Sequence, residues 1–242
     1  MRLDNLQKQH EIRDVCVERL ATRPPYPGYP TERFTGSFEE LDEYTIPRGP
    51  WSSPSDDGEA VNSNRKRFKK HSLLVDKLGR ALHPWAQEIM GSIGFVTGKG
   101  AYWHWGPNYT VDPVVITDEE TPHVLLVERN DNGSWAFPGG FLDYATESIT
   151  RAGQRECAEE TGVIIGEPVS TIYEGPVADG RTTAHAWAHT TARLWRPTKR
   201  QPTTPQLEEV SDAAWFPVDK LPATFHGSHA KILEFALREI SS

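Results

Sequence analysis

The sequence predicts an α+β fold, an α/β/α sandwich of mixed strands flanked by helices. Three observations carry this. From Val111 onward, short runs rich in β-branched and aliphatic residues alternate with turn signals. A stretch of good helix formers interrupts them between Thr146 and Thr161, and helical periodicity returns at both ends of the chain. In the N-terminal helix, from Asp4 to about Leu20, Leu6, Ile12, Val15, Val17 and Leu20 recur at helical intervals, and the helix stops before Pro24. From Arg23 to about Glu59 the chain is dense in Pro, Gly, Ser and acidic residues, which favours irregular structure. Its aromatics, Tyr26, Tyr29, Phe34, Tyr44 and Trp51, fit an arm wrapping a folded body better than a freely solvated linker.

The strands follow in order. Pro113–Thr117 and His123–Glu128 are the first two, and Asp131–Trp135 carries a hairpin signal in its Asn-Gly pair. Gly162–Ile165, Ser170–Gly175 and the alternating run Thr183–Trp195 are the next three. In that run Trp187, His189, Thr191, Arg193 and Trp195 share one face, and the intervening alanines, Thr190 and Leu194 share the other. A strand near Ala213–Phe216 and a helix from about Ser228 to Ile240 complete the chain.

Composition bounds what such a fold does. The 242 residues carry 34 acidic and 26 basic side chains, a formal net charge of −8. Nucleic acid and anionic membranes are therefore poor partners for the chain as a whole, and an anionic ligand needs local positive charge or a metal. The basic run Asn64–His71 reads as a solvated loop, with phosphate steering or a nucleic-acid role as the alternatives. No apolar run approaches the ~20 residues of a membrane span, and the acidic residues near the N-terminus do not suit an export signal. Two cysteines, Cys16 and Cys157, make neither a disulfide framework nor a zinc set, so a cytoplasmic location is expected.

The chemistry concentrates in Trp135–Val163. Thr146 is a plausible N-cap, and Gly162 stands where a C-terminal cap is wanted. On the helix between them Glu156, Glu159 and Glu160 fall in one narrow sector, at about 100° per residue. Carboxylates gathered in this way raise one another's pKa unless a cation neutralises them, which calls for a hard divalent ion, magnesium first and manganese second. An acidic helix face can instead be solvated and salt-bridged, with Arg155 paired to Glu159. The preceding Pro138-Gly139-Gly140-Phe141 favours the first reading, because a glycine turn between strand and helix lets backbone approach phosphate closely.

These residues resemble the Nudix box: Gly, five residues, Glu, seven residues, Arg-Glu, an aliphatic, any residue, Glu-Glu, any residue, Gly, an aliphatic. Glu147, then Arg155, Glu156, Glu159, Glu160, Gly162 and Val163 fit that spacing. The chain departs on the left, where six residues rather than five separate Gly140 from Glu147, and Cys157 fills an aliphatic slot as a small hydrophobe. A second set of collinear segments resembles the mitochondrial-type ADP-ribose pyrophosphatases and the related domain of an ADP-ribose-gated cation channel. These are Tyr26–Gly28, Gly98–Gly100, Trp103–Val115, Asp179–Trp187 and Gly227–Leu233. In the fourth, Gly180, Ala184 and His185 replace a family Pro, Asp and Asn.

The resemblance implies a Nudix-type sandwich at 101–242, with 1–100 as an N-terminal helix and irregular arm packing on it. It implies metal-dependent hydrolysis of ADP-ribose to AMP and ribose 5-phosphate. Another nucleotide substrate, such as NADH or a diadenosine polyphosphate, and a non-catalytic ADP-ribose sensor are the alternatives. Glu156, Glu159, Glu160 and Glu147 would hold Mg2+ (or Mn2+), and Arg155 would orient the glutamates. The general base would be Glu156 or Glu159, with Glu174, Asp179, Glu208 and Glu209 as outside candidates. Arg181, His229, Trp105, Asn108 and Phe141 would bind substrate. The expected partner is a small molecule, with no nucleic acid and no membrane, and a monomer is favoured over a homodimer.

Overall fold

The strands assemble into sheets flanked by helices, so the α+β class holds. The computed structural model describes residues 3–21, 33–34, 73–76, 79–90, 95–142 and 147–242. The expected arm at 23–59 (apart from 33–34), the basic run at 64–71, the Tyr26–Gly28 match and Thr146 lie outside them. In chain order the elements are α1 (Leu3–Ala21), β1 (Arg33–Phe34), α2 (Ala86–Met90), β2 (Phe95–Val96), β3 (Gly106–Val115), β4 (His123–Arg129) and β5 (Trp135–Ala136). There follow β6 (Gly140–Phe141), α3 (Ile149–Thr161), β7 (Ser170–Pro176), β8 (Ala186–Trp195), β9 (Val210–Pro217) and α4 (His229–Ile240). One sheet runs β6-β3-β8-β7, a second runs β5-β4-β9, and β1 pairs with β2. By compactness the chain divides into two units. Met1–Gln9, Tyr109–Gly175 and Thr190–Ser242 form the first, and His10–Asn108 with Pro176–His189 the second.

In the first unit one apolar cluster joins both larger sheets to α3: Val115, Leu125, Cys157, Val163, Ile165 and Trp195, with Trp215 packed against it. The expected hairpin is present, with Gly133 at φ 65 and β4 pairing β5 antiparallel from Val127↔Ala136 to Glu128↔Trp135. β4 also pairs antiparallel with β9, which places both neighbours of the central strand. At the far edge of the other sheet, the side chain of Asn5 on α1 both donates to Glu174 O and accepts from Glu174 N, at 3.2 Å each. Lys8 and Gln9 donate to Ile172 O and Glu174 O, so the first turns of α1 satisfy edge groups that a further strand would otherwise take. α4 buries Ile232, Leu233, Phe235 and Ala236, the i, i+1, i+3, i+4 stripe of an amphipathic helix.

Two local expectations need correction. α3 begins at Ile149, with Ser148 as its N-cap accepting from Arg151 N at 3.3 Å, so the cap sits two residues beyond Thr146. Gly162–Ile165 is not a strand. Val163 and Ile165 do reach the core, but side chains take the backbone: Val163 N donates to Thr161 Oγ1, and Gln201 bridges both Ile164 N and Ile164 O. Both faces of β8 are buried, with only His189 and Arg193 half-buried.

Gly162 itself is the expected cap. At φ 72 its N–H donates to Ala158 O, and a Cβ there would lie 1.9 Å from Thr204 Oγ1. Gly162→Ala is therefore expected to cost about 2 kcal/mol or more in a urea melt, through both the left-handed backbone and the clash. A variant as stable as the parent would show that the turn relaxes freely.

Candidate active site

The site is built on the carboxylate-bearing side of α3 and the short turn from Phe137 to Phe141 that precedes it. Arg155 is its hub. Its guanidinium forms a bidentate pair with Glu147 (2.8 and 2.9 Å) and donates through Nη1 to both Glu156 and Glu159 at 2.9 Å. A longer bond runs to the Phe141 carbonyl, at 3.5 Å. The hydrogen bonds to Glu147, foremost, then the charge of Glu156 and the hydrogen bonds to Glu159 and Glu156, make Arg155 hold its proton more firmly than usual.

Glu160 points elsewhere, and its Oε2 accepts from Gly139 N at 2.9 Å. Burial pushes its carboxyl up to about 8; the negative charges of Glu156 and Glu209 add to the shift, and the Gly139 N–H opposes it. Glu156 is also raised, first by burial, with Arg155 opposing and Glu159 and Glu209 adding. Of the outside base candidates, Glu209 thus stands close enough for its charge to be felt at both carboxylates. Asp179 is instead locked to Arg181 in the second unit, and Glu174 lies on β7.

The turn fits closely against these groups. A Cβ on Gly140 would lie 2.6 Å from Glu156 Oε1, and one on Gly139 would lie 2.2 Å from the Val111 carbonyl. Only residues without a side chain bring the backbone this near the carboxylates. Among the described residues, no three His, Cys, Asp or Glu side chains are gathered tightly enough to hold a metal ion in this arrangement. The donor chemistry nevertheless fits a divalent cation. Buried, mutually repelling carboxylates with raised proton affinity are what a hard cation neutralises. Cys157 is the small buried hydrophobe expected, its thiol pushed up to about 12 by burial.

The substrate-binding candidates divide between the units. Phe141 and His229 belong to the first. Phe141 is half-buried on β6, paired with Thr110. His229 stacks on Phe137 with ring centroids 5.1 Å apart, and its Nδ1 accepts from Phe137 N at 2.9 Å. Trp105, Asn108 and Arg181 belong to the second unit. Trp105 is buried with Ala81 and Trp187. Asn108 braces its own turn, accepting from His104 N and donating to the carbonyls of His104 and Gly106. Arg181 makes a bidentate pair with Asp179 and lies 5.3 Å over the Tyr102 ring.

Sequence reasoning passed over Asp112. This residue, buried in β3, accepts from Thr190 Oγ1 at 2.6 Å and faces His229 Nε2 at 4.0 Å. An acidic residue between Val111 and Pro113, in a run of apolar residues up to Val115, was the available signal.

A family model described as the NUDIX domain matches residues 108–235, more than half of the chain. The mitochondrial ADP-ribose pyrophosphatase of Rattus norvegicus is 27% identical over 226 residues, covering 71% of this chain and 63% of that protein. A transient receptor potential cation channel subfamily M member-like 2 protein of Nematostella vectensis is 28% identical over 158 residues, 53% of this chain and 10% of the channel. The chain therefore spans less than two thirds of either relative. The NUDIX domain of Shewanella oneidensis NrtR, solved with ADP ribose, is 29% identical with a TM-score of 0.47, covering 56% of this chain and 89% of that one.

Proposed function

Because the chain belongs to the NUDIX domain family, we propose that it hydrolyses the pyrophosphate bond of ADP-ribose, with a divalent metal, to AMP and ribose 5-phosphate. The observation that carries this reading is the carboxylate face of α3 beside the glycine turn, where Arg155 pairs with Glu147, Glu156 and Glu159, and Glu160 accepts from Gly139 N. A non-catalytic sensor has no use for all five. The choice of ADP-ribose among nucleotides is supported by the collinear likeness to the rat pyrophosphatase.

Glu156, Glu159 and Glu160 would hold the metal, with Glu147 bracing the set through Arg155. When bound, magnesium or manganese draws charge from the pyrophosphate oxygens and lowers the pKa of a ligated water. Arg155 keeps two of the carboxylates aimed at one place, which limits the reorganisation the site undergoes on loading. The backbone of Gly139 and Gly140 brings the turn against those carboxylates without side-chain obstruction. The general base would be Glu156 or Glu159; of the candidates outside the ligand set, Glu209, whose charge is felt at Glu156 and Glu160, is the one favoured to take the proton of the attacking water.

The same reading takes a small molecule as partner and a single chain as the working form. The first turns of α1 already cover the β7 edge, which supports the monomer. No helix among the described residues is long and apolar enough to cross a membrane. The two free, buried cysteines suit a reducing cytoplasm.

The test is a turnover panel at fixed magnesium with ADP-ribose, NADH, diadenosine polyphosphates and nucleoside triphosphates, products separated by chromatography. ADP-ribose is expected to be converted fastest, giving AMP and ribose 5-phosphate in equal amounts. Faster conversion of another substrate would reassign specificity, and binding of ADP-ribose without any turnover would make the chain a sensor.

A further inference from the structure

The short strand β5 has one edge on β4, and its other edge is taken by a segment almost a hundred residues further on. Trp135 N donates to Thr224 O at 3.1 Å, His226 N donates to Trp135 O at 2.9 Å, and Phe225 bridges Trp135 in parallel register. The next donor in this direction is Phe137 N. It is not met by backbone but by His229 Nδ1, at 2.9 Å, with the imidazole stacked on the Phe137 ring at an interplanar angle of 18°. Residues 224–229 therefore form a splint along the entrance to the glycine turn, and the His229 ring is its last rung. Two residues beyond Phe137, Gly139 N donates to Glu160.

We infer that His229 is a positioning residue: by accepting from Phe137 N it holds the glycine turn in the place from which Gly139 N–H engages Glu160. The tautomer follows from the geometry. An amide N–H only donates, so Nδ1 accepts and the ring proton sits on Nε2, on the side of Asp112. Asp112 adds a second stop from β3. It flanks Gly139 so closely that an added Cβ would be 3.2 Å from its Oδ1. The turn is thus clamped between the splint and β3, and both its clamps lie outside the carboxylate helix. This role works through Nδ1, which separates it from a role in touching substrate through Nε2.

The two ring nitrogens can be tested apart. Asn places its amide oxygen near the position of Nδ1, whereas Gln reaches toward that of Nε2. Hydrogen exchange of the Phe137 and Gly139 amides, read in the metal-free protein, reports the clamp without reference to turnover. In His229→Ala both amides are expected to exchange about tenfold faster or more, with kcat for ADP-ribose down by about tenfold and KM changed by less than about threefold. His229→Asn is expected to restore most of the protection and of kcat, and His229→Gln neither. Should the alanine variant fail to fold, the contrast between Asn and Gln decides the matter. Retained protection in His229→Ala, or rescue by Gln rather than Asn, overturns the inference. Its kinetic arm rests on the hydrolase reading. An inactive parent protein would sink that reading alone, because the exchange measurement still decides the clamp.

Discussion

Glu160→Gln will lower turnover of ADP-ribose by about a thousandfold or more, while the metal-free protein keeps or gains thermal stability. The two effects have one cause. The Glu160 carboxyl is half-buried, within reach of the Glu156 and Glu209 charges, and its pKa stands at about 8. Its ionised form is therefore costly in the fold without a cation, and valuable only when a cation is there to bind it. Gln keeps an oxygen to accept from Gly139 N, so the turn retains its anchor, but it carries no negative charge for a metal. The pH dependence has a defined sign. Between the ordinary glutamate value of about 4.3 and about 8, the native state retains a proton that the unfolded chain gives up. The stabilisation this group contributes is complete below that window and is lost as pH rises through it. Thermal melts of the metal-free parent from pH 5 to 8 should show this fall, and Glu160→Gln should flatten it. Wild-type turnover in the variant would remove Glu160 from the metal set, and an unchanged slope would place its proton affinity near that of an exposed carboxyl.

Gly139→Ala should damage the fold and the site together. The residue sits at φ 152, where a side chain is strained, and its Cβ would lie 2.2 Å from Val111 O and 3.3 Å from Asp112 Cα. Both are strand backbone in β3, and Val111 is in register with Gly140, so neither atom can retreat without breaking the β3–β6 pairing. The turn must move instead, which withdraws Gly139 N from Glu160. A loss of about 3 kcal/mol or more in a urea melt is expected, with turnover down by about a hundredfold or more. Gly166→Ala is the control, since a Cβ there meets nothing within 4 Å. Equal stability of the two variants would show that the turn is not the tightly packed element described.

Much of the site was legible because it is local. Glu156, Glu159 and Glu160 lie within five residues of one another, and helical periodicity alone puts them on one sector. Gly162 was legible as a cap for the same reason, and so was the Asn132-Gly133 hairpin. The failures are equally specific. Gly162–Ile165 has the β-branched character of a strand, but Gln201 and the Thr161 hydroxyl occupy its backbone groups before any strand can. Ser148 and Thr146 are equivalent caps by type, and what separates them is where α3 starts.

Asn108, His229 and Asp112 mark the limit of such reading. Asn108 lies in a motif that suggests ligand binding, yet its amide closes a turn with His104 and Gly106. His229 is separated from Phe137 by 92 positions, and nothing in the spacing of either announces the other. The chain alone thus specified the α+β class, the carboxylate helix and the glycine turn, because helical and strand periods and cap chemistry act over a few residues. The splint of 224–229 on β5, the place of Asp112 beside Gly139 and the division of the glutamates between Arg155 and Gly139 were decided by tertiary structure. They depend on sheet register and burial, which bring distant side chains within hydrogen-bond range and shift their proton affinities only once the whole unit is folded.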